Sequence, residues 1–130
     1  MKGVYVLVIQ VNKPVCVGVG ALGKLSFKRG LYAYVGSAQN NLELRVARHK
    51  KRDKPLHWHI DYLLQNPHGK VIKVFYRLDG KAEECRIADL LSRSGAEPKD
   101  GFGCSDCHCL SHLFHAESFD FLSENMQQLK

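Results

Sequence analysis

The chain has 130 residues, of which 45% are apolar and 25% charged, proportions of a single soluble globular domain with a modest core, spanning 1–130. The apolar opening from Val4 to Val11 is broken at Gln10 and is too short to span a bilayer. No signal peptide is indicated, so the cytoplasm is the expected compartment, and five cysteines do not fit an extracellular disulfide scaffold.

The net charge of +6 is unevenly distributed. Between Lys24 and Pro55 nine bases face two acids, a local excess of +7, whereas from Gly101 onward one base faces four acids, a local −3. Lys28, Arg29, Arg48, Lys50, Lys51 and Arg52 belong to the basic stretch, which suits a phosphate backbone through charge attraction and counterion release. The competing reading is a solvated helix face.

In chain order, Val4, Val6, Val8 and Gln10 alternate with Tyr5, Leu7, Ile9 and Val11, which predicts a strand buried on most of both faces and therefore central. Pro14 ends it, and short strands follow at Val15–Val19, Lys24–Lys28 and Leu31–Val35, separated by glycine turns at Gly18, Gly20, Gly23 and Gly30. A meander is the simplest pairing. Helical spacing runs from after Asn40 to about Lys51, and again from Pro55 through Leu64 until Asn66-Pro67 stops it. Val71–Leu78 is strand-like, Asp79-Gly80 is a turn, and a helix spans about Ala82–Leu91. A Gly, Cys and His segment then leads to an expected last helix near Ser118–Leu129, the two forming the tail 101–130. The class is α+β: a small antiparallel or mixed sheet flanked by helices.

Two short echoes stand out, Gly3-Val4-Tyr5 in the first strand and Tyr34-Val35-Gly36 in a later one. The helix after Asn40 sets Arg45 and His49 one turn apart on one face. This order of motifs resembles the GIY-YIG nuclease family, in which two such strands precede a helix carrying arginine and histidine four apart, followed later by a metal-binding glutamate. A branch of unassigned function, sometimes joined to an endonuclease III repair domain, is similar in Tyr34-Val35-Gly36-Ser37-Ala38, Arg48-His49, His57-Trp58-His59-Ile60-Asp61-Tyr62-Leu63 and Gly101-Phe102-Gly103-Cys104-Ser105-Asp106-Cys107. The resemblance implies an endonuclease, with DNA as the expected partner, a repair or processing role, and association with a repair enzyme. Tyr5 and Tyr34 stand 29 residues apart, a longer separation than the family pattern, so residues 14–30 read as an inserted hairpin that would restrict substrate entry if it lay over the site.

Phosphodiester hydrolysis needs a base for water, positive charge on the phosphate and usually a divalent cation. Arg45 offers a fork of donors suited to phosphate, and His49 is placed to orient the nucleophile or hold a tyrosine hydroxyl. Tyr5 and Tyr34 are candidates at the nucleophile, although a phenol with a pKa of about 10 needs a metal or a neighbouring cation to ionise. The alternative for both is an ordinary strand tyrosine with its hydroxyl satisfied, the reading adopted for Tyr32. In the third helix Glu84 shares a stripe with Ile87, Ala88 and Leu91, where an uncompensated carboxylate is costly. Glu83 meets Ile87 and Leu90 by the same spacing, and the family resemblance favours Glu84 as the ligand for Mg²⁺ or Mn²⁺. The competing reading is a first-turn glutamate favoured by the helix dipole.

His57, His59 and Asp61 read either as a second metal or phosphate site or as helix packing, and Trp58 as either a base-stacking platform or a core anchor. Cys104, Cys107, Cys109 and His112 form a C-x-x-C-x-C-x-x-H cluster of zinc-type ligands, more tightly spaced than most structural zinc sites. Buried free thiols or a local disulfide compete with zinc there. Beside the nuclease reading stands a non-catalytic nucleic-acid-binding module stabilised by this cluster.

Overall fold

A computed structural model describes residues 3–38, 40–51, 55–56, 58–78, 82–99, 101–102, 111–124 and 126–129. The class is α+β, as expected: a six-stranded antiparallel sheet, a separate two-stranded hairpin and three helices. The strands are β1 Gly3–Val11, β2 Val15–Gly18, β3 Lys24–Phe27, β4 Gly30–Ala38, β5 Gly69–Arg77, β6 Glu97–Pro98, β7 Leu113–Ala116 and β8 Gln127–Gln128. The helices are α1 Leu42–Lys50, α2 His59–Gln65 and α3 Ala82–Arg93. The large sheet runs β6-β7-β4-β1-β5-β8.

The expected central strand is β1, flanked by β4 and β5, and its period-2 alternation builds two layers. Tyr5, Leu7, Ile9 and Val11 bury into one layer with Leu42 and Val46 of α1 and Ile60 and Leu63 of α2. Val4, Val6 and Val8 bury into the other with Ile87, Ala88 and Leu91 of α3. Full burial of each such Val, Leu or Ile contributes about 1.5–3 kcal/mol relative to exposure, so a continuous apolar run is stable only when covered on both sides.

The expected meander is corrected. β1 skips its sequence neighbour and pairs with β4, while β2 and β3 pair only with each other. The excluded pair is the expected inserted hairpin. It joins the α1/α2 layer through Val19 and Phe27, with Gly20 against the Tyr62 ring. Phe27 stands edge-on to Tyr32 and Phe102.

The expected C-terminal helix is also corrected. Phe119, Leu122 and Met126 supply its apolar spacing, but a single short 3-10 turn, Asp120–Glu124, is enough to bury them on the α3 side. Gln127 and Gln128 then pair with Tyr76 and Phe75 as an edge strand. Among the described residues no helix is long and apolar enough to cross a membrane.

Candidate active site

The two echoes lie opposite each other. In the β1–β4 register Gly3 faces Ala38, Tyr5 faces Gly36 and Leu7 faces Tyr34. The glycines are there for space. A Cβ on Gly36 would lie 2.5 Å from the Tyr5 hydroxyl, so the phenol crosses the strand where the side chain is missing. A Cβ on Gly3 would lie 2.5 Å from the carbonyl oxygen of Arg77 on the neighbouring β5.

α1 begins where Asn41 caps it, accepting the Leu44 N–H at 3.1 Å, with Glu43 in the first turn and Arg48, His49 and Lys50 in the last. Leu42, Val46 and His49 form its buried face. That face brings His49 Nε2 to 2.8 Å from the Tyr5 hydroxyl, a hydrogen bond made inside the fold. The Tyr34 ring stands edge-on to His49 with centroids 6.2 Å apart. One turn before His49, Arg45 donates to the Ser37 carbonyl at 3.2 Å, and its guanidinium lies 4.5 Å from the centre of the Trp58 ring.

Glu84 reaches the same end of β4 from the opposite layer. Ser37, whose strand parity turns it toward α3, donates to Glu84 Oε2 at 2.7 Å, and His112 Nδ1 lies 3.0 Å from Oε1. Glu83 instead pairs with Arg86 at 2.8 Å. The Glu84 charge is felt at both phenols, where it opposes ionisation. Burial pushes the Tyr5 phenol well above its usual pKa, and the nearby Arg45, which pulls it down, does not offset that. Tyr34 is displaced in the same direction by the same cause. Both phenols are therefore protonated at neutral pH. The Tyr32 phenol, pushed up to about 12 by burial, donates to the Lys28 carbonyl at 2.8 Å.

Arg48 acts inside the fold. It donates to both carboxylate oxygens of the fully buried Asp61 at 3.1 and 3.2 Å, and to the Pro55 carbonyl at 2.9 Å. Asp61 also accepts the Trp58 N–H at 2.9 Å, which caps α2. The Arg48 guanidinium, like that of Arg45, lies 4.5 Å from the Trp58 ring centre. Trp58 is thus half-buried between α1 and α2 as an anchor for two arginines. His59 packs edge-on against Phe102, and desolvation lowers its pKa.

Among the described residues, Lys28 and Arg29 stand apart from Arg45. Lys28 and Arg29 lie in the turn before β4, with Lys28 3.8 Å from Glu97. Ser37 and Arg45 are at the other end of that strand, roughly 25 Å away at the rise of an extended chain. Lys50 and Lys51 are exposed at the end of α1. Arg52, His57, Cys104, Cys107 and Cys109 lie outside the described residues, while His112 is buried at Glu84. Among the described residues no three His, Cys, Asp or Glu side chains are arranged to hold a metal ion.

Ser37 and His112 as partners of Glu84 were not foreseen. Strand alternation places Ser37 on the α3 side, a signal present in the sequence, whereas no periodicity in the sequence points to the His112–Glu84 pairing.

No curated protein and no solved structure matches the chain. A family profile does match, over residues 4–130, so the chain belongs to the family described as domain of unknown function DUF123.

Proposed function

We propose that this protein is a metal-dependent endonuclease of GIY-YIG type, hydrolysing phosphodiester bonds in DNA during repair or processing in the cytoplasm. The observation that carries the reading is the buried Tyr5–His49 hydrogen bond of 2.8 Å on the helix that also bears Arg45, opposite the glycine that makes room for the phenol. A surface tyrosine whose hydroxyl faces water would need neither a buried histidine nor an empty space on the next strand.

The chain's own residues divide the work as follows. With the Tyr5 phenol protonated, His49 is the better proton acceptor of the pair, and Tyr5 hands the proton on or orients the attacking water. Arg45 sets its guanidinium toward the end of β4, where a phosphate would meet its donors. Tyr34 stands against the other side of the histidine and holds the ring's position. Glu84 fits a divalent cation of the Mg²⁺ or Mn²⁺ type. A carboxylate offers about four lone-pair directions, Ser37 and His112 engage two, and a water-rich octahedral ion needs one. Such an ion supplies charge on the phosphate oxygens.

A second reading, a nucleic-acid-binding module without turnover, is favoured by the same carboxylate. Both Glu84 oxygens have protein neighbours within 3.0 Å, the arrangement of a structural glutamate. Cleavage of labelled single-stranded, duplex, nicked and branched DNA with Mg²⁺ or Mn²⁺ separates the two readings. Cutting by the wild type that is lost in Glu84→Gln supports the nuclease; binding that weakens with salt but never cuts supports the module.

A further inference from the structure

We infer that the cleft between the last turn of α1 and the start of β5 binds a sugar-phosphate unit of the nucleic-acid backbone next to the Tyr5–His49 pair. This rests on the nucleic-acid reading above and extends it to a cleft that joins His49 and Lys50 to Lys70. The cleft has a volume of about 280 Å³ and is lined by His49, Lys50, Leu64, Gly69, Lys70 and Val71. One liquid water occupies about 30 Å³, so the space accepts a polyatomic group.

The chemistry of the lining is one-signed. Among the described residues two lysines line it and no carboxylate does, so the field inside favours an anion. Leu64 and Val71 supply apolar surface suited to a sugar ring beside the phosphate. The carbonyls at the end of α1 would oppose an anion. Lys50 in that last turn offsets them, and the Lys51 N–H occupies the Arg48 carbonyl at 3.1 Å.

Position ties the cleft to the site. His49 is shared, since its Nε2 bonds Tyr5 while the residue also lines the cleft. A strand occupying the cleft therefore has its adjacent phosphate on the Tyr5 side of the same histidine. β5 starts flush against α2, because a Cβ on Gly69 would lie 2.8 Å from the Leu63 carbonyl. No described strand pairs with β5 on the side away from β1 between Gly69 and Ile72, and the Gly69 N–H itself is taken by the Asn66 carbonyl at 3.0 Å. Lys70 is the addition this makes to the basic residues read from the sequence.

The test is binding of a labelled 20-mer, single-stranded and duplex, to the full chain in EDTA across a salt series. The wild type is compared with Lys50→Ala/Lys70→Ala and with the control Arg93→Ala on the opposite layer. The double variant is expected to lower the slope of log affinity against log salt by about 1, which is about tenfold in affinity at 0.1 M salt, while the control does neither. A second reading comes from amide shifts at Gly69, Lys70 and Val71 during titration with inorganic phosphate, expected to saturate in the wild type and vanish in the double variant. Salt-dependent binding that the double variant keeps at full slope overturns the cleft assignment and leaves the nuclease reading standing. Absence of any salt-dependent binding by the wild type overturns both.

Discussion

Removing Arg48 should destabilise the fold far more than removing an ordinary surface arginine. Its partner Asp61 is fully buried, and the guanidinium donates two hydrogen bonds to the carboxylate, at 3.1 and 3.2 Å, that are lost once it is gone, while the Trp58 N–H at 2.9 Å stays. Breaking a buried pair by deleting one partner costs about 3–5 kcal/mol, because the surviving charge is left uncompensated. The lower end applies here, about 3 kcal/mol, since the Arg48 side chain keeps 27% of its exposure and the capping N–H remains. With a urea dependence of about 1.5 kcal/mol per molar, the midpoint of unfolding falls by about 2 M in Arg48→Met. The chain has one tryptophan, and it is Trp58, so its fluorescence reports unfolding from within this cluster. The double variant Arg48→Met/Asp61→Leu removes both charges and should lose less stability than Arg48→Met alone. A midpoint shift under 0.3 M, or additive losses in the double variant, would refute the claim that Arg48 is engaged inside the fold rather than held out for nucleic acid.

Gly36→Ala drives a methyl toward the Tyr5 ring and should cost about 1–3 kcal/mol in urea unfolding, relieved in Gly36→Ala/Tyr5→Ala, whose ring is absent. Tyr5→Phe removes the hydroxyl bonded to His49 and should cost about 1 kcal/mol; a pH titration of the His49 ring by NMR should shift in this variant, and an unchanged titration would contradict the bond. Tyr5 and Tyr34 keep their protons in the folded chain when the unfolded chain releases them near pH 10, so the unfolded state binds fewer protons there. Stability is therefore fully present below pH 10 and falls as pH rises beyond it, by up to about 1.4 kcal/mol per pH unit for each tyrosine. Urea midpoints measured between pH 9 and 11 should show this decline, and Tyr34→Phe should make it shallower.

The parts of the fold legible in the sequence are those whose side chains repeat with a clear period. The run Val4–Val11 places β1 at the sheet's centre, and helical spacing after Asn40 places α1 with Arg45 and His49 one turn apart. Where local pattern and tertiary contact compete, the pattern misleads. Phe119, Leu122 and Met126 have helical spacing, yet one 3-10 turn buries them and frees Gln127 and Gln128 for the sheet edge. β6 and β8, at two residues each, are too short to carry a period, and their pairing depends on edges supplied by β7 and β5. Motif order marks Tyr5, Arg45, His49 and Glu84 as the candidate site. The histidine's hold on a tyrosine hydroxyl was legible too, but the partners Ser37, His112 and Trp58 were not, because they come from separate segments brought together by the fold. The basic run from Lys24 to Pro55 reads as one patch along the chain, but β4 sets Lys28 and Arg29 at the far end of a nine-residue strand from Ser37 and Arg45.

The measurement that bears most directly on the proposed activity is cleavage of the labelled DNA panel in Mg²⁺ or Mn²⁺ by the wild type, Glu84→Gln and Arg45→Ala. The account predicts metal-dependent cutting by the wild type, abolished in Glu84→Gln and reduced about a hundredfold or more in Arg45→Ala, with both variants still folded. Cutting retained by Glu84→Gln at the wild-type rate, or no cutting of any substrate by a folded wild type that binds DNA, would contradict it.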